Sequence, residues 1–443
     1  MIQLPAPVDE ALRRLTQAGF AAYIVGGCVR DHLRGSVPTD YDITTDALPA
    51  ETKQVFAGER VIETGIRHGT VTVCLGGMAL EITTFRVDAA YSDNRHPDAV
   101  SFTRSLRADT ARRDFTMNAI AYNERVGFVD YFGGRADIAR HLIRCVGEAD
   151  MRFQEDALRI LRALRFSSVL GFSIDAETAR AAHRNRQLLQ HISAERIAAE
   201  LTKLLLGPHV RQVLLDYADV LGVAIPELLP MQGFAQHNKH HIYDVLTHTA
   251  IAVEAAPATP ALRLAALLHD IGKPACFTRG DDGVGHFYGH AAHSARLANQ
   301  ILRRLKFDNA TRTRVVLLVR EHDTQIAPTA RGVRRALAKL TPEGFFQLLA
   351  LKRADNLAQS PAYRARQQTY DALEALATQI LDQAQCFQLR DLAVDGRDLL
   401  AAGIPAGPAV GAALRALLDA VISEQAPNEK AALLQFLQCH GFL

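Results

Sequence analysis

With 443 residues, 48% of them apolar, the chain is long enough to bury a large core and to divide into several domains. Its 50 Lys and Arg residues nearly balance 48 Asp and Glu residues, which excludes a strong overall field, so attraction to nucleic acid must come from local clusters. We find no signal-peptide pattern and no apolar stretch of membrane-spanning length, and the six cysteines lack paired spacing. We therefore expect a cytoplasmic protein with reduced thiols and no membrane association.

The pattern of residues changes twice along the chain. Short β-rich runs at 21–25, 69–75 and 79–85 alternate with turns and predict a mixed sheet with helices. Amphipathic helical patterns follow from 153–166 onward, and a histidine-dense helical region begins near residue 236. These patterns predict an α+β head followed by all-α domains. The expected boundaries are 1–147 for the head, 148–230 for a helical neck, 231–360 for a metal domain and 361–443 for a tail.

A glycine pair follows the first predicted strand. Gly26 and Gly27 lie between this strand and a helical segment that carries Arg30. Glycine lets backbone N–H groups approach a triphosphate, and Arg30 would add positive charge. Turns of this kind also occur for packing reasons, so the pattern alone leaves both interpretations open.

Two aspartates at alternate positions, Asp40 and Asp42, follow among residues typical of strands. Side chains alternate along a strand, so both carboxylates would lie on one face. There they could hold the Mg²⁺ ions that bridge a triphosphate and an attacking hydroxyl. Glu81, in the strand predicted over 79–85, is the best candidate for a third carboxylate. The alternative is a solvated edge strand for the two aspartates and an exposed strand residue for Glu81.

Together, the sequences Gly-Gly-Cys-Val-Arg-Asp at 26–31 and Asp-Tyr-Asp at 40–42 resemble the signature of the DNA polymerase β type nucleotidyltransferases. The likeness is to class II of their bacterial branch, the tRNA nucleotidyltransferases and poly(A) polymerases. Residues 113–118 and 130–134 are similar to the second and third motifs of that branch, although Met117 stands where Ile is usual. The resemblance implies that the second motif holds the sugar and triphosphate through Arg113, Asp114 and Asn118.

The polar stretch 86–107 falls where that family has a flexible loop, which helps it switch from C to A addition. We expect the same role for the residues around 91–97.

The helix predicted over 153–166 contains Glu-Asp-Ala-Leu-Arg-Ile-Leu-Arg, which resembles the family's base-reading motif. Asp156 and Arg159 are i and i+3 and would share one helix face. A carboxylate beside a guanidinium can pair with the Watson–Crick edges of C and A, which selects the base without a template. Arg162 belongs to the same motif, and Arg196 resembles a weaker final neck motif. Without the preceding motifs, a surface salt bridge would be the usual explanation.

Histidine and aspartate recur on helical segments of the second half. His248 is followed by the adjacent pair His269 and Asp270, and Asp355 comes later. Neighbouring helical residues point about 100° apart, so the pair can reach one metal only with help from other helices. A satisfied core histidine would explain any one of these residues. All four in this order favour a metal site.

This order resembles the HD superfamily of metal-dependent phosphohydrolases. The resemblance implies a metal held by His248, His269, Asp270 and Asp355. His290 and His322 match positions that serve a second metal or the phosphate in some members. Imidazole and carboxylate ligands suit Ni²⁺, Mn²⁺, Co²⁺ or Fe²⁺, with Mg²⁺ a further candidate, and an open position would let bound water attack a phosphoester.

The resemblances imply template-independent addition of CCA to tRNA from CTP and ATP. They also imply a phosphatase or 2′,3′-cyclic phosphodiesterase that cleans damaged RNA ends. A poly(A) polymerase is the nearest alternative, because it shares the head and the base-reading motif. A protein uridylyltransferase is more distant, since the base-reading motif and the short chain argue against it. Against an inactive RNA-binding protein stand the intact residues Asp40, Asp42, Asp156 and Arg159. The sequence predicts no oligomeric state.

Overall fold

The computed structural model describes residues 2–88 and 100–443. The predicted loop residues 91–97 lie outside these ranges. The chain forms two compact units, Met1–Leu229 and Pro230–Leu443. Across the described ranges, every helix is too short or too polar to cross a membrane.

The strands of the first unit include all three that the sequence predicts, each within a residue of its expected ends. They are β1 (Ala22–Val25), β2 (Asp42–Thr45), β3 (Arg60–Ile62), β4 (Thr70–Leu75), β5 (Met78–Thr84), β6 (Arg86–Asp88), β7 (Val100–Phe102), β8 (Ile120–Asn123), β9 (Gly127–Asp130), β10 (Leu142–Ile143) and β11 (Ser173–Ile174). Seven of them form one mixed sheet in the order β3-β4-β5-β2-β1-β8-β9. Within it, β2 and β5 run parallel and the other neighbours run antiparallel.

Strand-forming apolar residues explain this sheet. Ile24, Ile43 and Ile82, on the three adjacent strands β1, β2 and β5, are almost completely buried. Along β4, buried residues alternate with partly exposed ones, as in a strand with one face on the core. The alternation that predicted the strands therefore also defines their buried face.

Eleven α-helices are described in the first unit. They are α1 (Ala6–Gln17), α2 (Gly27–Leu33), α3 (Pro49–Val55), α4 (Leu106–Ala111), α5 (Gly134–Ala139), α6 (Ala149–Glu155), α7 (Leu158–Leu170), α8 (Ala176–Asn185), α9 (Ala194–Leu205), α10 (Val210–Asp216) and α11 (Ala218–Ala224). The region after residue 147 is helical as predicted, except that β11 returns to pair in parallel with β10.

The helix predicted over 153–166 is broken in the structure, so that prediction was wrong. Helix α6 ends at Glu155, and Asp156 has extended backbone angles of φ −140° and ψ 101°. Its Oδ1 accepts a hydrogen bond from the backbone N–H of Leu158 at 3.1 Å, in the manner of an N-cap, and α7 begins there. Asp156 and Arg159 therefore do not share the face of one continuous helix.

The second unit is helical apart from one short hairpin, β12 (Thr278–Arg279) with β13 (Gly285–His286), which the helical pattern did not predict. Its helices are α12 (Val245–Ala255), α13 (Pro260–Leu268), α14 (His290–Arg304), α15 (Asn309–Glu321), α16 (Ala330–Leu357), α17 (Arg366–Asp382), α18 (Gly396–Ala401), α19 (Pro408–Ile422) and α20 (Lys430–Cys439). The 3₁₀ segments of the chain are Ile66–His68, Thr116–Asn118, Arg186–His191, Pro226–Met231, Pro274–Cys276, Pro361–Tyr363 and Leu389–Asp391.

Local sequence signals position the helices that carry the histidines. The Asp244 side chain accepts from the backbone N–H of Thr247 at 2.6 Å and so caps α12. Helix α16 is kinked at Thr341, where φ is 67°, because the following Pro342 disfavours helical angles at the preceding residue. Helix α12 packs against α13 and α16, and α13 packs against α15. The predicted metal ligands lie on or beside these packed helices.

Candidate functional sites

Two of the three predicted carboxylates of the head, Asp42 and Glu81, lie on one face of the sheet, whereas Asp40 precedes the strand that was expected to include it. Asp42 is the first residue of β2, and Glu81 on β5 is its register neighbour in the parallel pair. Register neighbours point to the same side of a sheet. Asp40 lies two residues before Asp42, and both are exposed on either side of the buried Tyr41. The structure therefore places Asp42 and Glu81 on the same side of the sheet, with Asp40 close enough for its charge to act on Asp42.

Gly26 and Arg113 border this carboxylate face. Gly26 has a φ of +83°, and a Cβ there would lie 3.2 Å from Arg113 Nη1 and 3.8 Å from Asp42 Oδ2. A side chain at position 26 would therefore be strained and crowded. Gly27 carries no comparable constraint, because its Cβ would meet only Arg30 Nη2 at 3.5 Å. Of the glycine pair that the sequence predicts for the site, which includes Gly27, only Gly26 makes the close approach.

Charges around Asp42 oppose one another. Although Asp42 is exposed at the protein surface, the surrounding protein displaces enough water from its carboxylate to raise its pKa; the positive charge of Arg113 lowers the pKa, and the charge of Asp40 raises it further. Burial likewise lowers the pKa of Arg113, against the effect of Asp109. Since two neighbouring carboxylates repel one another, a divalent cation between them would be stabilised.

A buried hydrogen-bond network connects three motifs of the first unit. Arg30 Nη1 donates to Asn118 Oδ1 at 2.9 Å, and Asn118 Nδ2 donates to Asp114 Oδ1 at 3.1 Å. Arg162, on α7, completes the network with two donors at 2.6 and 2.8 Å from Asp114 Oδ2. Burial would raise the pKa of Asp114, but Arg162 and the hydrogen bonds lower it to about 2. The network fixes Arg30 and Arg162 relative to each other.

Phe166 is a component of this region that the motifs did not indicate. Three guanidinium groups lie over its ring, those of Arg30 at 5.1 Å, Arg162 at 5.5 Å and Arg165 at 4.2 Å. Cations at this range are attracted to the negative face of an aromatic ring. The ring therefore helps to hold several positive charges close together.

Asp156 and Arg159, the predicted base-reading pair, are each held by other groups. Asp156 Oδ2 accepts from Arg196 Nη2 at 2.9 Å, which gives Arg196 a defined position in the site. Arg159 Nη1 donates to Glu155 at 2.6 Å, and Nη2 donates to the carbonyl of Arg112 at 2.9 Å. Both side chains are thus oriented, although they come from either side of a helix break.

A cluster of histidines and aspartates forms in the second unit, where the sequence predicts a metal site. His248 Nε2 lies 2.9 Å from Asp355 Oδ1 and 3.3 Å from Asp270 Oδ2. His269 Nε2 lies 3.1 Å from Asp270 Oδ2 and 3.7 Å from Asp355 Oδ1. The two histidines and Asp270 are almost completely buried. All four predicted ligands therefore converge.

A second trio shares Asp270 with the first. His290 Nε2 and His322 Nε2 lie 3.5 and 3.6 Å from Asp270 Oδ1, and 3.2 Å from each other. In residues 2–88 and 100–443, two trios have ligand atoms that all lie within 4.8 Å of one another: His248 with His269 and Asp270, and Asp270 with His290 and His322. Asp270 thus offers one oxygen to each trio. The head carboxylates do not converge this closely.

Backbone carbonyls orient all four imidazoles. Each Nδ1 lies 2.6 to 3.2 Å from a carbonyl oxygen, and these belong to Ala358, Ala266, Phe287 and Val319 for His248, His269, His290 and His322 in turn. A proton on Nδ1 would satisfy each carbonyl and leave the Nε2 lone pair facing the cluster. Metal-binding histidines are commonly oriented in this way.

The charges of the cluster fit a bound cation. Burial would lower the pKa of His269, but Asp270 and Asp355 raise it to about 10. Neither buried oxygen of Asp270 accepts a well-aligned hydrogen bond within the described chain, although Lys273 Nζ lies 2.7 Å from one of them. Inward-facing Nε2 atoms and these oxygens together form a donor set suited to transition metals. Gln236 Oε1 accepts from Lys273 Nζ at 2.8 Å and holds this lysine beside the cluster.

The fold and the head site define the chain as a nucleotidyltransferase. It matches the families described as Poly A polymerase head domain over residues 22–144, probable RNA and SrmB-binding site of polymerase A over 171–231, and putative tRNA nucleotidyltransferase domain 2 over 287–437. It is 37% identical over 428 residues to the CCA-adding enzyme of Lactobacillus delbrueckii subsp. bulgaricus, covering 96% of each chain. The chain belongs to the family of CCA-adding enzymes.

Further comparisons agree with this assignment. Over 211 residues the chain is 51% identical to the CCA-adding enzyme of Geobacillus thermodenitrificans, which covers 47% of this chain and 52% of that relative. The crystal structure of the Bacillus stearothermophilus CCA-adding enzyme in complex with CTP has a TM-score of 0.74 and 31% identity, covering 99% of this chain and 98% of that one. The similarity to that structure covers the residues of both units of this chain.

Proposed function

We propose that this chain adds CCA to the 3′ end of tRNA from CTP and ATP. The observation that carries the proposal is the exposed carboxylate face at Asp40, Asp42 and Glu81, bordered by Gly26 and Arg113. The family supports the same reaction, and its Bacillus stearothermophilus member was solved with CTP. Residues Asp40, Asp42 and Glu81 fit Mg²⁺, which when bound supplies charge stabilisation to the attacking and leaving oxygens.

The protein's own groups bind and orient the nucleotide. Arg30, Arg113 and Arg162 place positive charge beside the carboxylate face, where a triphosphate would bind. Asp114 and Asn118 hold Arg162 and Arg30 by hydrogen bonds and so position them. Asp156 and Arg159 then select C or A through their hydrogen-bonding edges, with Arg196 orienting Asp156. Positioning and electrostatic stabilisation carry the reaction.

The test is incorporation of labelled CTP and ATP into a tRNA that lacks its CCA end. We expect two C residues and one A residue, and no product with Asp40→Ala. Incorporation of ATP alone would instead identify a poly(A) polymerase. The control is Glu124→Gln, an exposed carboxylate in the turn between β8 and β9, which should leave incorporation unchanged.

We further propose that the histidine–aspartate cluster is a metal-dependent phosphohydrolase of the HD type. His248, His269, Asp270 and Asp355 would hold one metal, and Asp270 with His290 and His322 a second, so that Asp270 bridges the two. Bound metal lowers the pKa of water and so supplies a nucleophile for a phosphoester. Lys273, buried beside the cluster, would hold a phosphate oxygen.

Metal analysis and hydrolysis test this second activity together. Protein freed of metal is incubated with Ni²⁺, Mn²⁺, Co²⁺, Fe²⁺ or Mg²⁺, and bound metal is counted alongside hydrolysis of 2′,3′-cyclic and 3′-phosphorylated RNA ends. We expect up to two metals per chain and hydrolysis that depends on them. Absence of both would refute the proposal.

A further inference from the structure

Two aromatic rings stack beside the histidine–aspartate cluster. His286, at the end of β13, and Tyr288, just before α14, lie with ring centroids 5.3 Å apart and an interplanar angle of 9°. Tyr288 is 77% exposed, and of the large apolar side chains in the described ranges only Val37 is more exposed. An exposed aromatic ring in a defined orientation offers a free face for stacking, and tyrosine is enriched at binding interfaces.

The same cavity contains this aromatic pair and the cluster. Its volume is about 320 Å³, and its lining includes His286, Tyr288, Asp270, His290 and His322. Pockets for small ligands have volumes of roughly 300 to 1,000 Å³. The cavity is therefore large enough for a ligand that reaches from the metal-binding groups to the aromatic rings.

The aromatic pair is tied to a metal-binding residue. The carbonyl of Phe287, which lies between His286 and Tyr288, accepts from His290 Nδ1 at 2.8 Å and from the backbone N–H of His290 at 3.1 Å. Phe287 packs its own ring against Phe277, with centroids 5.5 Å apart. The strand is held as well, because a Cβ at Gly285 would lie 2.3 Å from the carbonyl oxygen of Gln236. These contacts hold the two rings in position relative to His290.

We propose that the His286–Tyr288 stack binds the nucleobase of a 3′-terminal nucleoside phosphate whose phosphate lies at the histidine–aspartate cluster. This inference rests on the proposed phosphohydrolase. Aromatic rings stack on every base, so the site accepts any terminal base but discriminates against phosphates without one. Lys273, 4% exposed and lining the same cavity, supplies the positive charge for the phosphate. The ligand is either the end of an RNA or a free nucleotide, which have this chemistry in common.

A fluorescence titration tests the stack without relying on activity. The sequence contains no tryptophan, so Tyr288→Trp in the full-length protein introduces a single indole that keeps a stacking surface. We expect its fluorescence to be quenched by 3′-CMP, 3′-AMP and a short RNA with a 3′-phosphate, but not by ribose 5-phosphate or inorganic phosphate. Leu400→Trp, at an exposed position on α18, is the matched control and should respond to none of them.

Kinetics with added Mn²⁺ provide a second measurement. We expect Tyr288→Ala to raise KM for 3′-CMP by about 5-fold or more, because each base stack contributes roughly that factor, and to leave hydrolysis of ribose 5-phosphate unchanged. Tyr288→Phe should restore the KM for 3′-CMP.

The outcomes separate the stack from the phosphohydrolase. Quenching by RNA alone, or by RNA and mononucleotides, supports base binding by the stack. The pattern also shows whether the ligand is an RNA end or can be a free nucleotide. The proposed stack is overturned if neither RNA nor a mononucleotide quenches the fluorescence, or if base-free phosphates quench it equally. An unchanged KM for 3′-CMP in Tyr288→Ala overturns it as well. If the unaltered protein hydrolyses none of the substrates, the proposed phosphohydrolase fails, and the titration still decides whether the rings bind a base.

Discussion

The carboxylate face of the head and the histidine–aspartate cluster of the second unit are built in opposite ways. Asp40, Asp42 and Glu81 are exposed, and their oxygens do not form a trio within 4.8 Å of one another. His248, His269 and Asp270 are buried, converge closely, and have their imidazoles oriented by backbone carbonyls. In the proposed reaction, the incoming triphosphate would complete the head site. The cluster is organised before any ligand binds.

The same contrast locates the organised part of the head. Its fixed elements are the cations rather than the carboxylates, because Arg30 and Arg162 are tied through Asn118 and Asp114. Substitutions on the carboxylate face should therefore change chemistry with little change in folding. Substitutions in the buried network or in the cluster should alter local stability as well.

The largest expected effect is that of Asp42→Asn, which keeps the shape of the side chain and removes its charge. Because the carboxylate is exposed and central to the face, we expect CCA addition to fall by at least about 100-fold. The free energy of unfolding and the hydrolysis of RNA ends should stay the same. Measured rates of both reactions, with Glu124→Gln as the control, check this. Near-normal CCA addition would exclude Asp42 from the site.

His269→Ala tests the histidine–aspartate cluster of the second unit. Removing one imidazole from a preorganised cluster should lower metal affinity and hydrolysis by at least about 10- to 100-fold. Addition of CCA should persist, which also reports that the first unit is folded. Metal content by elemental analysis is the main readout, and His440→Ala, an exposed histidine of the same unit, is the control. We expect His322→Ala to lose one of two metals, and an unchanged metal count would exclude His322 from the second metal position.

Sequence motifs predicted the two sites unequally. Asp42 and Glu81 could each be assigned to an exposed side of a strand because side-chain alternation is a local rule, whereas their neighbourhood depends on the parallel pairing of β2 with β5. The four histidines and two aspartates could be placed from their order, but the sharing of Asp270 depends on the packing of α13, α14 and α15. Position 156 was misjudged because the helical pattern continues through it, while its side chain bonds to Leu158 and Arg196. The role of Phe166 was not predicted, because its three cationic neighbours come from two helices that only the fold brings together.

A smaller effect tests the buried network through pH. Burial would raise the pKa of Asp114, but Arg162 and the hydrogen bonds lower it to about 2, below the ordinary value of about 3.9, so the ionised carboxylate with all its partners contributes roughly 2 to 3 kcal/mol to folding. A lowered carboxyl pKa contributes fully above about pH 4, and the contribution is lost as the pH falls toward 2. We expect Asp114→Asn to be less stable at neutral pH and less sensitive to acid in this window. Denaturant unfolding followed by circular dichroism at several pH values measures both.

An equal loss of stability for the control Glu124→Gln would show that the effect is not specific to the network. An unchanged acid dependence in Asp114→Asn would mean that the ion pair with Arg162 is not formed in solution.

The smallest expected change in stability is at the helix break, where one residue has two roles. Asp156 caps α7 and, in the proposed reaction, presents an acceptor to the base. Asn caps helices about as well as Asp, so Asp156→Asn should stay within about 0.5 kcal/mol of the unaltered protein, whereas Asp156→Ala should lose about 1 kcal/mol. Both variants should alter the choice between CTP and ATP. The amide of Asn adds N–H donors where the carboxylate only accepts, and Ala has no hydrogen-bonding group at all.

Both variants lose the carboxylate, but only Asp156→Ala also loses the helix cap. Comparing them therefore separates the cap from the base contact. A change in base choice with Asp156→Asn, at nearly full stability, comes from the polar contacts of the side chain, those to the base or to Arg196, and not from the cap. If Asp156→Asn keeps normal base choice and Asp156→Ala loses it, the residue acts by shaping the start of α7 and so positioning Arg159. The head would then resemble the histidine cluster more closely than its exposed carboxylates indicate, with specificity fixed by the fold before the nucleotide binds.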